Sequence, residues 1–156
     1  MTEKRLSRGK IILLVTIVLN LAFIFVQSSL PPSASGAQIE AVGNTVGGIF
    51  SKDGRFGAFL QNNVSNIAHF IEYGALGAQI SIAVFLWFGQ KIKSSILSVT
   101  FSLAVAFLDE SVQILSGRHA SILDMWIDIF GFAVFYLLTL MILFLFIKRK
   151  SPNGRG

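Results

Sequence analysis

The stretch ILDMWIDIFGFAVFYLLTLMILFLFI, residues 122–147, decides the fold class of this chain. A membrane core takes about 20 helical residues, so this apolar stretch is long enough to cross it. Backbone groups in lipid must bond to one another, and the stretch lacks the alternating pattern of a barrel strand, so we predict a helix. Two acids, Asp124 and Asp128, lie one turn apart near its start. The sequence therefore predicts a membrane helix with charge at one end.

Three more apolar segments extend this prediction to a polytopic membrane protein. The composition agrees, because 53% hydrophobic and 13% charged residues, with a mean hydropathy of +0.70, lie outside the range of soluble domains. We predict an all-α protein, a bundle of four transmembrane helices with short loops. The predicted parts are a basic N-terminus at 1–10, a four-helix membrane domain at 11–147 with helices at about 11–27, 67–88, 95–115 and 122–147, and a basic tail at 148–156.

The segment 28–66 separates the first two predicted helices. It is rich in Gly, Ser and Asn and has Pro31-Pro32 near its start, so we predict an outer loop that begins extended and carries at most a short surface helix. The basic start and apolar stretch before Ser35 and Ala37 also fit a secretory signal with its cleavage site. Retention of the first helix would leave four membrane helices, whereas cleavage would leave three.

Basic residues predict the orientation, because Lys and Arg near the ends of membrane helices favour the cytoplasm. Of the 13 Lys and Arg residues, ten flank one set of helix ends, and Lys52, Arg55 and Arg118 remain for the other side. Both termini are therefore predicted to be cytoplasmic. The net charge of +5 is explained by topology and gives no support to nucleic-acid binding. The absence of Cys excludes disulfides and thiol catalysis.

The acids inside the predicted helices, together with His69 and Gln113, all lie near the outer ends. A charged residue at mid-helix costs about 2.5–3.5 kcal/mol, so the acids are expected to be paired, hydrated, protonated or held around a cation. Helical spacing supports a shared interior cleft. The three stripes are His69, Glu72 and Gln79; Ser95, Ser98, Ser102, Asp109, Gln113 and Ser116; and Ser121, Asp124, Asp128 and Gly131. Asp109 and Glu110 are adjacent, so we expect one in the cleft and the other against a neighbouring helix or Arg118.

These residues provide the candidate site, and some have structural alternatives. The catalytic candidates are His69, Glu72, Asp109, Glu110 and Asp128, and the substrate-binding candidates are Arg118, Gln113, Tyr73, Ser121 and Asp124. Ser121 and Asp124 also fit a capping box at a helix start, and His69 with Glu72 fits an interhelical hydrogen-bond pair. Tyr73, Trp87 and Trp126 fit the aromatic belts of membrane interfaces. The metal is not specified, although a carboxylate-only site suits Mg²⁺ or Ca²⁺ better than zinc.

Two segments together resemble the VanZ-like family of bacterial membrane proteins. AHFIEYGALG, 68–77, has the family's His-x-x-Glu-Tyr pattern, and DESVQILSGRHASILDMWIDIFG, 109–131, has its Asp-Glu-x-x-Gln, Gly-Arg and Ser-x-x-Asp patterns. VQSSLPP, 26–32, is similar to the family's Ser-rich exit from the first helix, which favours its retention. The chain differs at Ser65-Asn66, where members often have a basic pair, and at Val112, where they often have His. The resemblance implies a multi-pass protein of the bacterial cytoplasmic membrane and a link to glycopeptide resistance, especially to teicoplanin.

The function that we expect is binding or modification of the polar head of an envelope lipid or a lipid-linked cell-wall precursor, at an extracytoplasmic-facing site. Arg118 would contact an anionic head group, and Asp109, Glu110 and Asp128 would hold a divalent cation such as Mg²⁺ or exchange protons. His69 and Glu72 would act as acid or base. Two alternatives stay open, a small proton-coupled drug exporter acting as a homodimer and a non-catalytic accessory subunit that docks another membrane protein.

Overall fold

The computed structural model describes residues 7–49, 55–89, 92–118 and 121–150, which form six helices. They are α1 (Arg8–Ser28), α2 (Pro32–Ile49), α3 (Arg55–Asn62), α4 (Val64–Phe88), α5 (Ile92–Leu115) and α6 (Ile122–Lys150). Four of them, α1, α4, α5 and α6, are long and apolar enough to cross a membrane. The predicted all-α class with four membrane helices is confirmed, and each predicted helix end lies within one turn of the observed end.

The segment between the first two membrane helices differs from the prediction. We expected an extended start and at most a short surface helix, and this is wrong, because most of the segment forms α2 and α3. Pro32 is the first residue of α2, a position where its fixed φ suits a helix and its missing N–H costs nothing. The glycines of α2 are tolerated because the helix packs on α3 and α4, with Gly43 close to Gln61 and Val64.

Helices α4 and α6 form the closest pair in the bundle. A Cβ added at Gly77 would overlap the carbonyl oxygen of Phe132, and one added at Gly131 would overlap that of Phe70. Small residues at a contact allow two membrane helices to approach closely, and van der Waals packing then holds them together. Gly131 lies on the predicted interior stripe of the last helix, so the stripe correctly identifies the packed face of α6.

The predicted interior stripe of α5 is also buried. Ser98, Ser102, Asp109 and Gln113 are each at most 3% exposed, in agreement with the prediction for this face. Helix α1 lies against α4 and α5, and Asn20 donates a hydrogen bond to Gln79 of α4 across 3.2 Å. Polar side chains thus join helices at several levels of the bundle.

The aromatic side chains have mixed positions. Tyr73 is fully buried in the apolar core beside Leu76 and Phe132, so the prediction that it belongs to an interfacial belt is wrong. Trp126 is 60% exposed, as a belt residue would be. Lys10 Nζ lies 5.1 Å from the centroid of the Trp87 ring, which brings the start of α1 next to the end of α4. The polar site described below lies at the opposite end of the bundle.

Candidate functional site

Three membrane helices each contribute one side chain to a buried polar cluster of His69, Asp109 and Asp128. His69 Nδ1 of α4 lies 3.1 Å from Asp128 Oδ1 of α6. One nitrogen or oxygen atom from each of the three side chains lies within 4.8 Å of the others. Asp109 and Asp128 are fully buried, whereas the His69 side chain is 12% exposed. The sequence predicted that these residues face a common interior, and the fold brings them together.

Asp109 is held by hydrogen bonds from two helices. The Ser28 hydroxyl at the end of α1 donates to Asp109 Oδ1, and Gln113 Nε2, one turn along α5, donates to Oδ2 across 3.2 Å. Sequence reasoning missed Ser28, although its position at the same end of the bundle as the acids is a signal that could have identified it. Gln113 was predicted to bind substrate, but here it orients a carboxylate.

Two fully buried polar atoms beside this cluster have no hydrogen-bond partner among the described residues. They are Asp128 Oδ2 and the hydroxyl oxygen of Tyr73. A buried polar group left without a partner costs about 1–3 kcal/mol, and in native proteins such groups usually contact an ordered water, an ion or a ligand. The polar cluster therefore has unused capacity to bind a further polar species.

Glu110 lies outside the cluster and contacts the start of α6. Its Oε2 accepts a hydrogen bond from the backbone N–H of Ser121 at 2.9 Å. The Ser121 hydroxyl in turn accepts from the N–H of Asp124 at 3.4 Å. Only half of the predicted capping box is present, because Glu110 of α5 takes the place that the Asp124 side chain would fill. The expectation that Asp109 and Glu110 meet different neighbours is confirmed.

A cavity of about 420 Å³ adjoins the cluster between α1, α2 and α4. His69 belongs to both the cluster and the cavity wall, and Glu72 and Arg118 also line the cavity. Its other lining residues are Phe23, Gln27, Ser28, Ser35, Gln38, Ile39, Ala41, Val42, Val64, Ser65 and Ala68. The contributions of α2 were missed, because that segment was predicted to be a loop. The cavity combines a charged wall with an apolar one.

Arg118 reaches this wall from the turn that follows α5. Its backbone N–H donates to the Gln113 carbonyl at 3.0 Å, and Gly117 before it has a φ of 77°, a left-handed conformation that favours glycine. The Arg118 guanidinium makes no hydrogen bond or ion pair to any residue that the structure describes. Its donors are therefore available to a ligand in the cavity.

Comparison with known proteins identifies the family of this chain. A family model described as VanZ/LLP1 matches residues 11–147. The chain belongs to the VanZ/LLP1 family. The matched residues include the polar cluster, the cavity lining and the four membrane helices, except for the first turn of α1 and the last turn of α6. No match was found among curated proteins or among solved structures.

The candidate residues of this VanZ/LLP1 chain divide into three groups. His69, Asp109 and Asp128 form the cluster, while Glu72 and Arg118 line the cavity. The remaining candidates support this arrangement: Gln113 bonds to Asp109, Tyr73 is buried in the core, and Glu110, Ser121 and Asp124 secure the start of α6. Acid–base groups and an arginine thus lie around one space at one end of a membrane bundle.

Proposed function

We propose that this VanZ/LLP1 protein binds the polar head of an envelope lipid, or of a lipid-linked cell-wall precursor, in the cavity between α1, α2 and α4. The observation that carries the proposal is an arginine in a cavity at one end of a membrane bundle, whose guanidinium makes no hydrogen bond or ion pair to a described residue. A guanidinium makes paired hydrogen bonds to phosphate oxygens. Arg118 would therefore bind the phosphate that joins a lipid tail to its head.

The other cavity residues suit the rest of such a ligand. Glu72 can accept hydrogen bonds from hydroxyl or ammonium groups of a head group, and Gln27 and Gln38 can donate and accept. Phe23, Ile39 and Val42 offer apolar surface to the first part of a lipid tail. The cavity volume of about 420 Å³ falls within the range of small-molecule sites, roughly 300–1,000 Å³.

The location that we propose for this site is the extracytoplasmic face of the bacterial cytoplasmic membrane. The basic residues favour cytoplasmic termini, and the cavity is at the opposite end of α1 from Arg8 and Lys10. Lipid-linked wall precursors and the outer leaflet are both accessible there. A protein that binds them could limit the access of a glycopeptide such as teicoplanin to the growing wall, which would account for the resistance that the family resemblance implies.

Modification of the head group, beyond binding, would use His69 and Glu72. Both line the cavity, and while no ion is bound to the polar cluster the contact between His69 and Asp128 resembles the base–orienter pairs that position a general base. The proton-coupled exporter has weaker support. The carboxylates described in the membrane helices, Glu72, Asp109, Glu110, Asp124 and Asp128, all lie at one end of the bundle, whereas a proton relay would need titratable groups across the full depth of the bundle.

The test compares lipid retention by variants of two arginines that are predicted to lie on the same side of the membrane. Arg118→Gln and Arg55→Gln are purified in native lipid nanodiscs, and the retained lipids are identified by mass spectrometry. Arg55 begins α3 and is exposed outside the cavity, so it controls for charge alone. We expect the wild type and Arg55→Gln to retain the same amount of one phosphate-containing lipid. Arg118→Gln should retain at least about 10-fold less of it, which corresponds to a loss of about 1.4 kcal/mol in binding free energy.

Three other outcomes would reject the proposal. Equal lipid retention by both variants would mean that Arg118 does not bind the head group. Recovery of one stoichiometric protein partner with no retained lipid would favour the accessory subunit. Uncoupler-sensitive drug efflux that needs Glu72 would favour the exporter.

A further inference from the structure

The polar cluster has the composition and spacing of a metal site. We infer that His69, Asp109 and Asp128 bind a divalent transition-metal ion such as Zn²⁺ or Mn²⁺. Bonds of about 2.1 Å to a common ion place two donor atoms roughly 3–4 Å apart. His69 Nδ1 and Asp128 Oδ1 are 3.1 Å apart, and the donor atoms of all three side chains lie within 4.8 Å of one another. Small rotations of side chains would complete the coordination.

The polar atoms without partners provide independent support for an ion. Asp128 is fully buried, its Oδ1 contacts His69, and its Oδ2 has no hydrogen-bond partner among the described residues. The buried Tyr73 hydroxyl lies near Asp109 but makes no hydrogen bond within 3.5 Å to any described residue. A metal ion with a bound water would give both atoms a partner. Asp128 Oδ2 would coordinate the ion, and the bound water can form a hydrogen bond with the Tyr73 hydroxyl.

The charge of the cluster also favours a cation. Asp109 and Asp128 are both fully buried, and no Lys or Arg among the described side chains lies within 4.0 Å of either carboxylate. Buried carboxylates in a membrane protein are costly unless they are paired or coordinate a metal. A single histidine can neutralise one of them at most, and Arg118 acts on Asp109 only from beyond ion-pair distance, whereas a divalent ion at the cluster matches two carboxylates.

The donor types indicate which ions would bind. Imidazole nitrogen suits zinc and other transition metals, while carboxylate oxygen also suits manganese, so one nitrogen and two carboxylates favour these ions over Mg²⁺ or Ca²⁺. The Mg²⁺ expectation rested on a carboxylate-only site that included Glu110, and Glu110 contacts Ser121 instead. Ser28 and Gln113, which bond to Asp109, would orient that ligand as outer-shell residues do in metal sites.

The experiment measures metal content and affinity on the full-length chain in detergent. The purified protein is stripped with a chelator, titrated with Zn²⁺, Mn²⁺ or Mg²⁺, and analysed by calorimetry and elemental mass spectrometry. We expect the wild type to bind close to one Zn²⁺ or Mn²⁺ per chain and Mg²⁺ much more weakly. Replacement of bound Zn²⁺ by Co²⁺ should give a visible absorption spectrum that reports a nitrogen–oxygen donor set.

Matched variants identify the ligands. His69→Ala and Asp128→Asn should each weaken Zn²⁺ binding by more than about 100-fold, and Ser28→Ala by about 10–100-fold, the range for an outer-shell residue. His119→Ala, the chain's other histidine, and Asp124→Asn, an acid one turn away from Asp128, should bind as the wild type does.

A wild type that binds no Zn²⁺ or Mn²⁺ would overturn the inference without the use of any variant. Equal binding by all variants, or loss only in His119→Ala, would also overturn it. This site does not require the proposed lipid function. Arg118→Gln tests lipid retention and leaves the three metal ligands in place, so a failure of one proposal can be distinguished from a failure of the other.

Discussion

Asp109 and Glu110 are neighbours in the chain but contact different parts of the protein. Asp109 faces the polar cluster and bonds to Ser28 and Gln113, whereas Glu110 bonds to the backbone of Ser121. Adjacent residues of a helix point in directions about 100° apart, so the sequence predicts that the two acids separate. The sequence could not say which acid contacts which neighbour, because that depends on how α5 is rotated against α1 and α6.

The Glu110→Ala variant tests whether this acid is structural. Loss of its oxygen leaves the N–H of Ser121 at the start of α6 without a partner, and we expect a destabilisation of about 1–2 kcal/mol, as for the loss of a helix cap. Thermal unfolding of the purified protein in detergent measures this loss of stability. Glu40→Ala is the control, since Glu40 is an exposed acid of α2. Unchanged stability together with lost lipid binding would assign Glu110 to the site instead.

Ser28 illustrates the limit of prediction at this scale. Its partner, Asp109, is 81 residues away in the sequence, and no local pattern connects the two. Their depths along the helices place both residues at the same end of the bundle. Whether Ser28 or its neighbour Ser29 bonds to Asp109 depends on how α1 is rotated about its axis, and the sequence does not give this rotation. Motif spacing within one helix can predict a stripe, whereas a contact between distant helices depends on the folded structure.

At the scale of elements, the membrane helices were predictable and the helices between them were not. Long apolar runs determine α1, α4, α5 and α6, because transfer into lipid dominates their energetics. Helix α2 has four glycines among its 18 residues, which lowers its intrinsic propensity, and it is stabilised by packing on α3 and α4. The apolar wall of the cavity, which includes Ile39 and Val42, was missed for the same reason.

The contact between α4 and α6 gives a prediction for glycine substitutions. In Gly77→Ala the new methyl group would overlap the backbone of Phe132, so we expect overpacking to destabilise the protein by about 1–3 kcal/mol. Gly36→Ala is the matched control, because nothing lies within 4 Å of a Cβ at this position of α2. Because alanine has a higher helix propensity than glycine, this substitution should leave the free energy of unfolding unchanged or raise it by up to about 1 kcal/mol.

Unfolding temperatures in detergent compare the two variants, and calorimetry of their Zn²⁺ binding shows whether the separation of α4 and α6 also affects the polar cluster. Equal unfolding temperatures would mean that α4 and α6 pack less closely than the structure shows.

At the scale of the whole molecule, the two ends of the described bundle differ in their acidic residues. The carboxylates described in the membrane helices and the cavity with Arg118 lie at the end where α2 and α3 are found. The other end has a second cavity of about 440 Å³ between α4 and α5, lined mainly by apolar residues together with Lys93, Ser94 and Ser98. This asymmetry is what a site that serves one face of a membrane requires, and it makes the orientation of the protein a central question.

Labelling of single cysteines tests the orientation, and the chain has no Cys to remove. Glu40→Cys lies on α2 at the polar end and Lys93→Cys at the opposite end, and both positions are exposed. In intact cells, a membrane-impermeant maleimide should label Glu40→Cys, while Lys93→Cys should react only after permeabilisation, because the basic residues favour cytoplasmic termini. The reverse result would place the cavity on the cytoplasmic side of the membrane and exclude a role at the outer leaflet.

The hydrogen bond between Ser28 and Asp109 also constrains biogenesis. A ribosome that adds 5–20 residues per second makes the intervening 81 residues in roughly 4–16 s, and α6 with Asp128 emerges later still. During this time the first helix is in the bilayer before α5, which carries Asp109, has been made. A nascent chain that stalls before α6 would expose Asp109, His69 and the glycine face of α4 to lipid, and it is expected to be degraded by membrane quality-control proteases.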